Sequence, residues 1–362
     1  MTHAPFGTLE VVHRFEGPMP TGVSVSHTGR IFVNFPQWGD DPPATVVEIR
    51  DGREVPYPDR KWNSPRAQDD AEAFVSVQSV IVDPADRLWV LDTGAPYFQQ
   101  TQPGGPKLVC VDLTTDAVVL VITFDPAVAL PTTYLNDVRF DLRRGEAGLA
   151  YITDSSDQGP NAIIVVDLAA GTAWRKLHDH PSTKAEPPEE YRPLVEGRPF
   201  LQHPPGGGPT PITIGADGIA ISADGERLYY CPLISRRWYS VPTDALADRD
   251  GPEPEVRDEG DRGGGSDGLE SDDAGNLYMT NWEHDAILRR RADGVYETVV
   301  HDPRLLWPDT MAVASDGYLY VTANQAHRLA VFQGAGEDLR RRPYHLFRTP
   351  IGAGPVLLRP EG

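Results

Sequence analysis

Six segments of the chain repeat one pattern: a short apolar strand, a polar turn that often contains Gly, and a second apolar strand with an aromatic near its start. They read TGVSVSHTGRIFVN from Thr21, QSVIVDPADRLWVLD from Gln78, NDVRFDLRRGEAGLAYITD from Asn136, DGIAISADGERLYYCP from Asp217, DGLESDDAGNLYMTN from Asp267 and DTMAVASDGYLYVTAN from Asp309. The aromatics are Phe32, Trp89, Tyr151, Tyr229, Tyr278 and Tyr320. In four copies the aromatic follows the second residue of the segment by ten positions, and the turn is longest in the third copy. Successive aromatics lie 42 to 78 residues apart, which leaves room for a four-stranded blade with loops of variable length. The repeat predicts an all-β chain, a six-bladed β-propeller of four-stranded antiparallel blades around a central tunnel.

Composition fits that expectation. Apolar residues make up 40%, Gly and Pro are abundant at 34 and 35, and no long amphipathic helical period appears. A single domain over residues 1–362 is expected, because radially packed blades grow without splitting the core. Thr8 to Phe15 and Arg328 to Phe332 are apolar candidates for closing the ring. The Pro- and Gly-rich stretch from Pro181 to Gly215 reads as an ordered insertion loop over one face. A net charge of −20 argues against nucleic acid and against anionic membrane surfaces, both of which require a basic footprint. The opening MTHAPFGTLEVV has neither a basic stretch nor an apolar segment, and no run reaches membrane-spanning length, so the expectation is a cytoplasmic protein. Cys110 and Cys231 sit inside apolar strands and read as buried thiols.

In a propeller the innermost strand of each blade lines the tunnel, so residues at one repeat position form a ring about the axis. That ring is Thr21, Gln78, Asn136, Asp217, Asp267 and Asp309. Three carboxylates converging on one tunnel mouth repel one another and acquire raised pKa values unless a cation, a shared proton or strong donors offset the charge. Either a hard divalent ion or a protonated amine ligand satisfies that need. Asn281, Trp282 and His284 are further candidates for the mouth of a ligand pocket.

Other motifs carry less. Asp92-Thr93-Gly94 has the triplet of aspartic proteases, but that chemistry needs two carboxylates sharing a proton and no second triplet occurs. Asp92, Asp154 and Asn281 all fall three positions after a repeat aromatic, where such side chains bond to backbone in turns. His178 and His180 have a spacing usable for metal but no third ligand. A Gly-x-Ser-x-Gly elbow, phosphate loops and Cys-rich zinc patterns are absent.

The motifs LWVLDTG, PKLVCVDLTTD, YLNDVRFD, AYITDSS, AWRKLHDHPS and GADGIAISADGERLYYCPLISRRWYSVPTDAL resemble the major royal jelly protein and yellow family, in the family's order from about Gly22 to Gln325. The resemblance implies a six-bladed propeller. It also implies either a dopachrome-converting enzyme or a binder of small amines such as serotonin. NDVRFD, DGIAISADGERLYY and DGLESDDAGNLYMTNW are in addition similar to blade motifs of the gluconolactonase and regucalcin family. That similarity implies calcium or another divalent cation on the axis, with Asp267 and Asp217 at metal-ligand positions and Asn136 positioning substrate. The family's Glu ligand falls on Thr21, a poor ligand for calcium or zinc. The function expected is an enzyme that uses the axial pocket on a small molecule, either for tautomerase-like proton transfer or for cation-assisted, lactonase-like hydrolysis. Asp217 and Asp267 would act as base or ligand, and Asn136 would orient substrate. The alternative is a noncatalytic binding protein for a small cationic or aromatic ligand such as a biogenic amine, with Thr21, Gln78, Asp309, Asn281, Trp282 and His284 among the binding residues.

Overall fold

The computed structural model describes residues 4–64 and 72–360, and it is built from six four-stranded antiparallel sheets in a ring. The expected single domain also takes in residues 1–3, 65–71 and 361–362, which lie outside the described residues. The innermost strands are Val23–Val25, Val77–Val82, Leu135–Asp141, Ala216–Ile221, Leu269–Ser271 and Pro308–Val313, in blades 1 to 6 respectively. They are buried almost throughout because each is covered on both faces by neighbouring blades. The outermost strand of blade 2, Ala117–Thr123, is mostly exposed. This gradient leaves the inner strands no solvent-facing side, so their polar residues, such as Asn136, Asp137 and Arg139, are buried with the apolar ones.

The aromatic of the repeat has a physical role. Trp89 Nε1 donates to Asp83 at 2.8 Å, and the Tyr278 and Tyr320 hydroxyls donate to Asp272 and Asp316 at the same distance. Each acceptor sits in the turn between the first two strands, where it also takes backbone N–H groups of that turn. Polar turn and aromatic therefore recur together because one satisfies the buried polar tip of the other.

The ring closes differently from the sequence expectation. Glu10–Phe15 does close it, as the outer strand of blade 6, but its partner is Tyr344–Pro350. Arg328 to Phe332 is not a strand. Ala326–Arg328 and Ala330–Phe332 are consecutive 3-10 turns whose side chains wall the cavities described below. Tyr344–Pro350 buries both faces in blade 6, and its Leu346 and Phe347 are fully buried.

Two segments shape the tunnel ends. The insertion after blade 3 holds one 3-10 turn, Pro181–Thr183, and a hairpin of Leu194–Val195 with Arg198–Pro199. It is tied across one mouth by His203 N–H to the Val331 carbonyl at 2.7 Å, and by Glu283, which accepts from the Tyr191 hydroxyl, Leu194 N–H and Gly265 N–H. At the opposite mouth the C-terminal segment crosses the axis: Leu142 N–H donates to the Leu358 carbonyl, and Val356 and Leu357 line a small cavity of about 70 Å³ there. The tunnel is blind at that end. Among the described residues no helix is long and apolar enough to cross a membrane.

Candidate functional site

The inner strands of blades 2, 3, 4 and 6 each carry a bulge at the ring position, between Val77 and Ser79, Leu135 and Val138, Ala216 and Ile219, and Pro308 and Met311. A bulge breaks the ladder and re-aims a side chain. Here it turns Gln78, Asn136, Asp217 and Asp309 toward the axis. Glycine follows the ring residue in blades 4 and 5 for a steric reason. A Cβ on Gly218 would lie 2.2 Å from the Asp267 carbonyl oxygen, and one on Gly268 would lie 2.4 Å from that of Asp309. Without those glycines the carboxylates of adjacent blades could not approach one another.

Gln78, Asn136, Asp217 and Asp267 form the floor of an axial cavity of about 240 Å³. Its walls are aromatic. Trp38, Phe98 and Tyr134 form one stack, with Phe98 and Tyr134 4.4 Å apart at 15°, and Trp307 and Phe200 stand opposite. The insertion completes the wall with Phe200, Gln202 and Ile212. The floor is cross-linked to the walls: Asn136 donates to Asp217 at 2.9 Å, Trp307 Nε1 donates to Asp267 at 2.7 Å, and the Tyr134 hydroxyl donates to Gln78 at 3.0 Å.

The carboxylates act as one unit. Burial, followed by the charge of Asp267, raises Asp217 and Asp309 well above the usual carboxylate range. Burial also raises Asp267, but hydrogen bonds from Asp217, Trp307 and Asp309 restrain it to about 6. The three carboxyls therefore share charge and protons as a set, with charge favoured on Asp267, which accepts from the Trp307 indole N–H. Asp267 is a base by charge and Asp217 an acid by its proton, and both face the same cavity.

The other sequence candidates separate. Asp309 is buried beside the floor, where it accepts from Asn324 at 2.5 Å and Thr310 at 3.2 Å. Thr21 is fully buried below the cavity, donating to the Gln78 carbonyl and accepting from Asn34. Asn281 and His284 line a different cavity, on the outer side of blade 5. Trp282 is fully buried and stacked on Trp307 at 4.8 Å and 12°. His178 and His180 are occupied by Arg175 and Ser182. Asp92 is buried and accepts from Val75, Ser76 and Gly94 N–H groups and from Lys107.

The residues present do not fit a calcium site of the lactonase type. Asp217 and Asp267 offer two carboxylates, but Thr21 at the third position has its hydroxyl committed below the floor. No group of three His, Cys, Asp or Glu among the described residues is arranged to hold a metal ion.

Sequence reading missed the walls. Trp38, Phe98 and Phe200 lie in loops outside the repeat, where no period marks them, whereas Tyr134 and Trp307 each stand two residues before the ring residue of their blade, Asn136 and Asp309. One signal is conformational: Tyr97, Phe98 and Trp307 all line the cavity and all have positive φ, at 59°, 54° and 57°. Bulky side chains seldom adopt that region, and such strain collects at functional sites.

The fold matches solved structures over nearly their whole length. Regucalcin from Agrobacterium tumefaciens, described as a calcium-binding protein, superposes with a TM-score of 0.58 at 16% identity, over 95% of each chain. A gluconolactonase from Xanthomonas campestris superposes with a TM-score of 0.54 at 12% identity, over 96% of this chain and 95% of its own. At such identities the likeness is one of fold. In sequence, the yellow proteins of Drosophila erecta and Drosophila melanogaster are 31% identical over 239 residues, which span 62% of this chain and 42% of those relatives. Residues 75–342, most of the propeller, match the major royal jelly protein family, and the chain belongs to that family.

Proposed function

We propose that the chain is an enzyme that moves a proton on a small aromatic or quinonoid molecule in the axial cavity, as a tautomerase or isomerase of the dopachrome type. The observation that carries this reading is the pair of buried carboxyls, Asp217 held by Asn136 and Asp267 by the Trp307 indole, side by side on the floor of an aromatic-walled pocket. A planar substrate stacks between the Tyr134 and Trp307 sides, Asp267 removes a proton from one atom, and Asp217 delivers a proton to another. The net charge of the pair is unchanged after both transfers. Asn136 holds Asp217 in place at 2.9 Å and Trp307 stabilises the anionic form of Asp267. A base whose pKa lies just below neutral is both ionised and basic enough for the task.

The same geometry supports a second reading, a noncatalytic binder of a cationic aromatic amine, since aromatic walls and one carboxylate charge also suit an ammonium group. The decisive experiment assays purified protein on dopachrome and, separately, on a gluconolactone with and without calcium. Asp267→Asn is expected to lower turnover of dopachrome by about 100-fold or more, with the remaining activity insensitive to chelator. Lactone hydrolysis that requires calcium would establish the hydrolase instead. Tight amine binding by calorimetry with no turnover of either substrate would establish the binder.

A further inference from the structure

A second cavity, of about 650 Å³, opens behind the insertion on the same face as the axial pocket. Phe200 and Phe332 line both cavities, so the partition there is one side chain thick. In a chain of net charge −20, this cavity is lined by Arg198, Arg328, Arg340 and Arg341 against Glu196 and Asp338. Arg328 is engaged by Glu196 at 3.0 Å, and Arg340 by Asp40 at 2.9 Å and Asp338 at 2.6 Å. The side chains of Arg198 and Arg341 have no partner among the described residues, and both residues are exposed.

Their backbones are nevertheless fixed. Arg341 N–H donates to the Gln325 side chain at 2.8 Å, and its carbonyl accepts from the same amide at 2.7 Å. Arg198 pairs with Val195 across a two-residue turn in which Glu196 and Gly197 have φ of 49° and 75°. A glutamate in the left-handed region is strained, and here its side chain is held by His327 and Arg328.

His327 supplies an independent observation. It is 5% exposed, its Nε2 bonds to Glu196 at 3.0 Å, its ring stacks on Trp307, and its Nδ1 has no hydrogen-bond partner. Burial lowers its pKa, so the ring is neutral. With Nε2–H donating to Glu196, Nδ1 is a bare acceptor. Nδ1 is sealed from solvent as well as unpaired, so the ring is a fixed part of the cavity wall.

We propose that this cavity is a binding site for a small organic acid with an apolar body. The carboxylate goes to Arg198 and Arg341, and the apolar body lies on Phe200, Phe332 and Leu339. The site stands apart from the proton-transfer reading and does not require it.

L-phenyllactate is the probe, titrated calorimetrically at low ionic strength into wild type and into Arg198→Gln/Arg341→Gln. Both arginines are exposed, so the double variant should melt like wild type and bind about tenfold or more weakly. 3-Phenylpropanol, which lacks the carboxylate, should bind wild type about tenfold or more weakly than phenyllactate. Asp267→Asn should leave the affinity unchanged. Absence of binding, binding that survives in the double variant, or equal affinity for 3-phenylpropanol overturns the assignment.

Discussion

Trp307 Nε1 donates to Asp267 Oδ2 at 2.7 Å from a backbone whose φ is 57°. Trp307 precedes Pro308, and a residue before proline normally adopts an extended conformation. The left-handed geometry is sustained by a stack in which the indole lies against Trp282 on one side and His327 on the other. The strain thus delivers an N–H to the one ionised carboxylate on the cavity floor. Replacing Trp307 with Phe keeps the stack and removes the donor. A hydrogen bond to a charged group is worth about 1.5–3 kcal/mol, so Asp267 should titrate about one unit or more above its present value near 6. The ascending limb of the pH–rate profile should shift upward by that amount. A limb that stays near 6 would show that Trp307 only packs.

Asp267→Asn separates a ligand-facing carboxylate from a structural one. The folded-state pKa of Asp267 is raised from 3.8 to about 6. Its protonated form therefore favours folding, and that contribution is complete below the unfolded value and lost as pH rises through about 6. The asparagine has no such loss. The variant should melt close to wild type at pH 4 and roughly a few degrees above it at pH 8. A melting temperature below wild type at pH 8 would mean that the bonds Asp267 accepts outweigh the burial of its charge.

The architecture was legible in the sequence because a propeller repeats one local problem six times. The turn carboxylate and the aromatic that bonds to it, as in Asp272 and Tyr278, must recur wherever a blade begins. The floor of the site was legible for the same reason, since Gln78, Asn136, Asp217 and Asp267 share a repeat position. What was not legible comes from outside the repeat. Trp38, Phe98 and Phe200 reach the axis from loops and from the insertion, and nothing in their local sequence says which mouth they cover. Asn281 and His284 were expected at the mouth of a ligand pocket, but proximity along the chain to a repeat strand does not say on which side of the blade that mouth lies. They open instead onto the cavity outside blade 5.

Glu283 decides whether the insertion stays on the propeller. It is almost fully buried, and it accepts from Tyr191 and Gly265 at 2.9 Å and from Leu194 and Arg236 at 3.2 Å. Glutamine retains one acceptor oxygen and presents an NH₂ group to donors. Each donor left unpaired costs about 1–3 kcal/mol. Glu283→Gln should release the insertion locally before the propeller unfolds, so limited proteolysis should cut between residues 187 and 210 many times faster than in wild type. Ligand affinity in the axial cavity should fall with it, because Phe200 and Ile212 belong to the released wall. Unchanged proteolysis would place the anchorage elsewhere, in Glu196 with His327 and Arg328.

Asp92 should behave in the opposite way to Asp267, although both are aspartates at the ends of apolar strands. Asp92 and Lys107 are both fully buried, with Lys107 Nζ 3.0 Å from Asp92 Oδ2, and the same oxygen accepts from Val75 N–H at 2.7 Å. Asn in place of Asp92 turns one of these contacts into a clash of donors and leaves the ammonium without its counter-charge. Breaking a buried pair in this way costs about 3–5 kcal/mol. Asp92→Asn should therefore lower the melting temperature. At a temperature where the variant is still folded, turnover and ligand affinity should match wild type, because Asp92 does not line the axial cavity. Loss of activity with an unchanged melting temperature would move the chemistry to Asp92 and away from the carboxylates on the axis.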